Sequence, residues 1–150
     1  MLDTDFANFF PKFNFDLKPF QKKVITNICE KKSTLCLMPT GGGKSIIYWM
    51  SALETAGITI VVSPLIALIG EQVQKLEEHG YSVLEITGNI PAIKQEKLLT
   101  DFANKKINPK FIFLSPEKLA TDGYLEYSLK KRINEITLFV IDEVHCVCQF

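Results

Sequence analysis

No excess of charge marks this chain. Seventeen Lys and Arg residues balance seventeen Asp and Glu, for a formal net charge of zero. A general basic footprint for nucleic acid is therefore excluded, although a groove built from backbone N–H groups needs no net charge. Long hydrophobic runs are also missing. No stretch reaches the length of a bilayer-crossing helix, and no basic amphipathic stretch suits a membrane surface, so no membrane partner is expected. Internal repeats and low-complexity linkers do not occur. Cysteine is sparse: Cys29, Cys36, Cys146 and Cys148 form no zinc-spaced pattern, and Cys146-Val147-Cys148 has no second pair. With no secretory leader, reduced and mostly buried thiols in a cytosolic or nuclear compartment are expected. What is present is apolar: 47% of 150 residues, enough for one compact core and too much for a disordered chain.

One stretch organises the rest: Pro39-Thr40-Gly41-Gly42-Gly43-Lys44-Ser45. Residues 34–38 before it read as a short buried strand. Residues 45–54 after it read as a helix with an apolar face. Consecutive glycines let the backbone curl and turn its N–H groups toward one point. The following helix adds unpaired N–H groups and a positive dipole end. Lys44 can reach the β and γ phosphates, and the Ser45 hydroxyl can ligate Mg²⁺. Met38 stands at the first position of the usual phosphate-loop pattern, where glycine is more common. The product is a cradle for a nucleoside triphosphate, with ATP and Mg²⁺ as the expected cofactors.

Residues 1–15 form an arm rich in phenylalanine, which must pack to avoid a sticky surface. Asp16 is a candidate N-cap for a helix carrying Phe20, Val24, Ile25 and Ile28. Strands are expected at 58–63, 81–87, 110–115 and 136–141. Helices are expected at 65–79, 91–102, 116–120 and 125–132. Pro64 and Pro116 stop two strands, and Gly80 suits the position just past a helix end. Continuously apolar strands alternating with helices indicate an α/β fold. Its core is a mainly parallel sheet with helices on both faces, a P-loop layer. The sheet is expected to be incomplete.

The last expected strand runs into Asp142-Glu143. Chemistry in such a sheet gathers beyond the carboxyl ends of the strands. Asp142 can hold Mg²⁺ directly or through water, and Glu143 can orient or deprotonate an attacking water. The glycine-rich cradle alone would fit a small-molecule kinase or a switch GTPase. The carboxylate pair favours a water nucleophile and hence hydrolysis.

Together, the segment from Met38 to Ser45 and Asp142-Glu143-Val144-His145 resemble superfamily-2 helicases, and more narrowly RecQ-type DNA helicases. The run from Val61 through Ile69 with Gln72, the Phe113-Leu-Ser-Pro-Glu-Lys-Leu119 segment and Cys146-Val-Cys-Gln-Phe150 resemble further family motifs. The resemblance implies that residues 16–150 are the first RecA-like lobe of an ATP-dependent helicase, with residues 1–15 as an arm. Gln21 would read the adenine edge, beside Lys18, which stands where arginine is usual. Residues 39–45 would hold the phosphates. Ser45 and Asp142 would hold the metal. Catalysis would fall to Lys44, Glu143 and His145, the histidine linking the ATP site to a DNA-responsive loop. Ser63, Pro64, Gln72, Thr87, Gly88, Ser115, Pro116, Gln149 and Phe150 would contact nucleic acid. The implied partners are single-stranded or partly duplex DNA and a second RecA-like lobe downstream, with 3′-to-5′ movement. These 150 residues alone are not expected to unwind DNA. A superfamily-2 RNA helicase, a duplex translocase and a non-enzymatic binding module stay open as alternatives.

Overall fold

The computed structural model describes residues 6–11, 16–38 and 43–143. The chain divides into two compact units, Met1–Ala56 and Gly57–Phe150.

In the first unit, α1 (Phe6–Phe9) precedes α2 (Pro19–Cys29) and α3 (Lys44–Glu54). Pro19 opens α2 because its fixed φ suits a first helical turn and its missing N–H needs no partner there. The cap is consequently Lys18, at φ −72 and ψ 153, and not Asp16 as expected. Lys18 has no acceptor in its side chain; instead the N3 residue Gln21 reaches back and its Oε1 accepts from the Lys18 N–H at 2.9 Å. α2 buries Gln21, Val24 and Ile25, and α3 buries Ile47 through Ala52. Phe10 of the aromatic arm is fully buried, its ring 5.4 Å from that of Trp49. The strand expected at 34–38 does not form. Leu35 and Leu37 are 75% and 82% exposed, and the segment has no ladder. A strand is held by hydrogen bonds to a neighbour, and apolar composition alone cannot supply them.

The second unit is a four-stranded parallel sheet flanked by helices, in the order β2-β3-β1-β4. Its elements run β1 (Ile58–Val62), α4 (Ile66–Glu78), β2 (Val83–Ile86), α5 (Ala92–Ala103), β3 (Phe111–Leu114), α6 (Pro116–Thr121), α7 (Gly123–Lys131), a 3₁₀ turn (Ile133–Glu135) and β4 (Ile136–Ile141). β1 and β3 are buried along their whole length, as continuous apolar strands require. Ile58, Ile60 and Val62 join Leu84, Ile86, Ile112 and Leu114 in a core covered by Leu99 and Phe102 of α5 and Leu125 and Leu129 of α7. β4 departs from expectation. Phe139 and Ile141, in register with Ile60 and Val62, are 48% and 46% exposed. The helix layer that buries β1 ends before this edge strand.

Helix ends follow local chemistry. Gly80, at φ 85, closes α4 with a Schellman pair, Tyr81 N–H to Leu76 O at 3.1 Å and Gly80 N–H to Glu77 O at 2.9 Å. Asp122 caps α7 by accepting from the Tyr124 and Leu125 N–H groups. Among the described residues no helix is long and apolar enough to cross a membrane.

Gly57 sets the approach of β1 to β4. Its φ is 94, and a Cβ there would lie 2.6 Å from the Glu135 carbonyl oxygen and 2.7 Å from the Thr137 side chain. Gly57→Ala is expected to destabilise the chain by about 2–4 kcal/mol, from left-handed strain plus a clash with backbone. Urea unfolding measures it; an unmoved midpoint would mean the two strands do not approach so closely.

Candidate functional site

The candidate site residues fall in two sets, one on each unit. In the first unit, α3 starts directly after Gly43, which caps it at φ 84. A non-glycine residue would be strained there, and its Cβ would fall 2.6 Å from Gln21 Nε2. Gln21 is buried, and its Nε2 donates to the Gly43 carbonyl at 3.4 Å while its Oε1 accepts from Lys18 N–H. One amide thus joins Lys18, Gln21 and the start of α3. Each end of that amide keeps capacity for a second bond: Nε2 another hydrogen, Oε1 another lone pair. Lys44 and Ser45 occupy the first turn of α3 and are half-buried. Burial pushes the Cys36 thiol above its ordinary value, and the neighbouring Lys44 ammonium offsets part of that rise. Pro39, Thr40, Gly41 and Gly42 lie outside the described residues.

The second set is created by the register of the sheet. Ile86, Leu114, Val62 and Ile141 pair across the four strands at one level. The next residue of each strand is Thr87, Ser115, Ser63 and Asp142. Parallel pairing therefore lines up three hydroxyls and a carboxylate across the carboxyl edge of the sheet. Backbone bonds continue past the strands to hold this row, Ser63 N–H to Leu114 O at 3.0 Å and Asp142 N–H to Val62 O at 2.9 Å.

The hydroxyls of this row already do local work. Ser63 Oγ accepts from Leu65 N–H at 3.4 Å, Ser115 Oγ accepts from Lys118 N–H at the start of α6, and the Thr87 hydroxyl donates to the Glu85 carboxylate. All three residues are buried, and Pro116 with them; Pro64 and Gln72 are half-buried and Gly88 is exposed. At the end of β4, Asp142 Oδ1 accepts from the Glu143 N–H at 3.0 Å. Glu143 takes φ 53, a left-handed conformation that costs a non-glycine residue of order 1–3 kcal/mol and recurs at functional sites. His145, Gln149 and Phe150 lie outside the described residues.

A family model described as DEAD/DEAH box helicase matches residues 18–150. The chain belongs to the DEAD/DEAH box helicase family. Among its relatives, the "ATP-dependent DNA helicase Q-like 4B" of Arabidopsis thaliana is 35% identical over 139 residues, 91% of this chain and 12% of that protein. The "RecQ-like DNA helicase blm-1" of Caenorhabditis elegans is 36% identical over 143 residues, 93% of this chain and 14% of that protein. The "Probable ATP-dependent DNA helicase RecS" of Bacillus subtilis is 33% identical over 133 residues, 89% of this chain and 26% of that protein. This DEAD/DEAH box chain is thus related to RecQ-type helicases at moderate identity, and spans about an eighth to a quarter of those relatives. Its fold matches a solved hypothetical ATP-dependent RNA helicase from Sulfolobus tokodaii, with TM-score 0.64 at 16% identity, covering 99% of this chain and 54% of that one.

Sequence reasoning passed over Gln95 and Asn89. The signal for Gln95 was available: it stands on the α5 stripe with Leu99 and Phe102, where an apolar residue is expected, and all three are buried.

Proposed function

We propose that this helicase-family chain is the nucleotide-binding part of the first RecA-like lobe of an ATP-dependent DNA helicase of RecQ type. One observation carries the reading. The strand that ends the row of hydroxyls also delivers Asp142 and a left-handed Glu143 to the same edge. A surface acting only as a binding module has no need of a strained acid beside a polar track.

By residue type, each unit carries groups that suit a magnesium nucleotide. The Ser45 hydroxyl and the Asp142 carboxylate are hard oxygen ligands of the type Mg²⁺ prefers. When bound, the metal would neutralise phosphate charge. Lys44 and the N-terminus of α3 attract phosphate oxygens. Gln21 keeps one donor and one acceptor for an adenine edge, with Lys18 beside it. Glu143 takes a proton from, or orients, the attacking water, and His145 is the further catalytic residue of this reading. The row of Thr87, Ser115 and Ser63, with Gly88, Pro64, Pro116 and Gln72 around it, offers hydroxyls and backbone groups to a sugar–phosphate chain. Gln149 and Phe150 are further nucleic-acid contacts in this reading, and a second lobe working against this one drives 3′-to-5′ movement.

Lys44→Ala in the full-length protein is expected to weaken ATP binding by about 10–100-fold, the worth of one charge-assisted hydrogen bond. Titration with a fluorescent ATP analogue checks it, and unaltered affinity would remove Lys44 from the site. The DNA assignment is tested by competing single-stranded DNA with RNA for stimulation of ATP hydrolysis by the full-length protein. DNA should activate at the lower concentration. Equal or better activation by RNA would replace the DNA helicase with an RNA helicase, and activation by duplex alone with a translocase.

A further inference from the structure

We propose that Gln95 is a positioning residue for nucleic-acid contact, pinning the 87–90 turn so that its Gly88 corner is presented in one fixed shape. The inference rests on reading the strand-end row as a nucleic-acid track.

Gln95 is 5% exposed. Its Nε2 lies 2.8 Å from the Thr87 carbonyl oxygen and 2.6 Å from the Ile90 carbonyl oxygen. Both neighbours are acceptors, so the amide nitrogen must face them and its two hydrogens are shared between the ends of one turn. The turn is closed by Ile90 N–H to Thr87 O at 3.1 Å. A second group of bonds holds it from the opposite side. Asn89 N–H donates to Thr87 Oγ1 at 3.2 Å, and Asn89 Nδ2 reaches Glu85 Oε2 at 3.3 Å and the Ile66 carbonyl, at the start of α4, at 3.4 Å. These bonds tie the turn to α5, to Glu85 of β2 and to the start of α4. Gly88 is exposed beside exposed Asn89, and apart from its chain neighbours nothing lies within 4 Å of where a Cβ would be. Gly88 itself presents no side chain to a nucleic-acid strand approaching its backbone.

Burying a carboxamide has a cost that only complete pairing offsets. A connector turn on α5 would be served as well by leucine at position 95, packed with Leu99 and Phe102. The use of an amide, with both hydrogens on the turn, is what preorganisation of a contact requires: the ordering is complete before the ligand arrives.

The test uses full-length protein, a single-stranded oligodeoxythymidylate and steady-state ATP hydrolysis. Gln95→Glu cannot donate at neutral pH and repels both carbonyls. It should raise the half-activating oligonucleotide concentration by about tenfold or more. The KM for ATP should move by less than about twofold. Gln95→Met, similar in length and uncharged, should show the same split more weakly and serves if the glutamate variant does not fold. Gly88→Val probes the corner directly and should also raise the oligonucleotide constant. If Gly88→Val weakens activation and neither Gln95 variant does, the track stands and the role of Gln95 is overturned. Parallel changes in the oligonucleotide and ATP constants would show general damage and overturn it too. A wild-type protein that neither binds the oligonucleotide nor is activated by it would overturn both readings.

Discussion

Glu143→Gln in the full-length protein is expected to lower ATP turnover by roughly 10²–10⁴-fold, the range for loss of a general base, while nucleotide still binds. The amide keeps the volume and one oxygen of the acid but cannot accept the proton of an attacking water. The residue's backbone N–H donates to Asp142 Oδ1, and that bond survives the change. The left-handed φ of 53 is also a property of the backbone, so the side chain should leave β4 in the same direction. Turnover is read by phosphate release and binding by titration with a fluorescent ATP analogue. Loss of both together would make Glu143 a binding group, and an unchanged rate would remove it from water activation.

The reading of the sheet from sequence worked where local chemistry decides the outcome. Pro64 and Pro116 each follow a strand end by two residues, Gly80 closes α4, and β4 occupies 136–141 as expected. These signals are written in one or two residues. The strand expected at 34–38 failed for the opposite reason. Its apolar residues satisfy the pattern, but a strand exists only through a paired neighbour, and pairing is not written in the strand itself. The half-exposed face of β4 has the same origin: Phe139 and Ile141 are apolar enough for burial, and the extent of the covering helix layer decides it. At the site, the residue types were legible and their alignment was not. Ser63, Thr87, Ser115 and Asp142 stand far apart in the chain and become one row only through parallel register. Gln21 was named through the family resemblance, whereas its bond to Gly43 depends on α2 meeting the start of α3. Arg132 carried no sequence signal beyond a basic residue near a helix end, a position usually exposed.

Removing that arginine should cause the largest loss of stability. Arg132 is 3% exposed, and each of its five N–H donors has an acceptor. Nη1 donates to the carbonyl oxygens of Phe102 at 3.1 Å and Ile107 at 2.8 Å. Nη2 donates to Asn108 Oδ1 and Glu135 Oε1, and Nε to Glu135 Oε2, each at 2.8 Å. The guanidinium also lies 4.5 Å from the Phe102 ring centre. It therefore ties the end of α5, the loop before β3 and the 3₁₀ turn before β4 to one point. Arg132→Met fills most of the volume but removes the donor to the Ile107 carbonyl, while the Phe102 carbonyl keeps the Lys105 N–H at 3.0 Å. At about 1–3 kcal/mol for that carbonyl, with the bonds to Asn108 and Glu135 and the stacking also lost, the expected cost is on the order of 3–5 kcal/mol. Arg132→Lys should recover little, because one ammonium cannot match a planar fork. Urea unfolding of the 150-residue chain measures both, and a Met variant within about 1 kcal/mol of wild type would refute the clamp. Acid separates the ion pair from the carbonyl bonds. The Arg132 hydrogen bonds, with Lys105 at 4.0 Å, hold the Glu135 carboxyl below the ordinary glutamate value. A depressed folded pKa contributes stability that is full above the unfolded value and is lost as pH falls through the folded one. The gap between wild type and Glu135→Gln should therefore close on acidification below the ordinary glutamate range. The gap between wild type and Arg132→Met should persist, because the carbonyl bonds and the stacking do not titrate there.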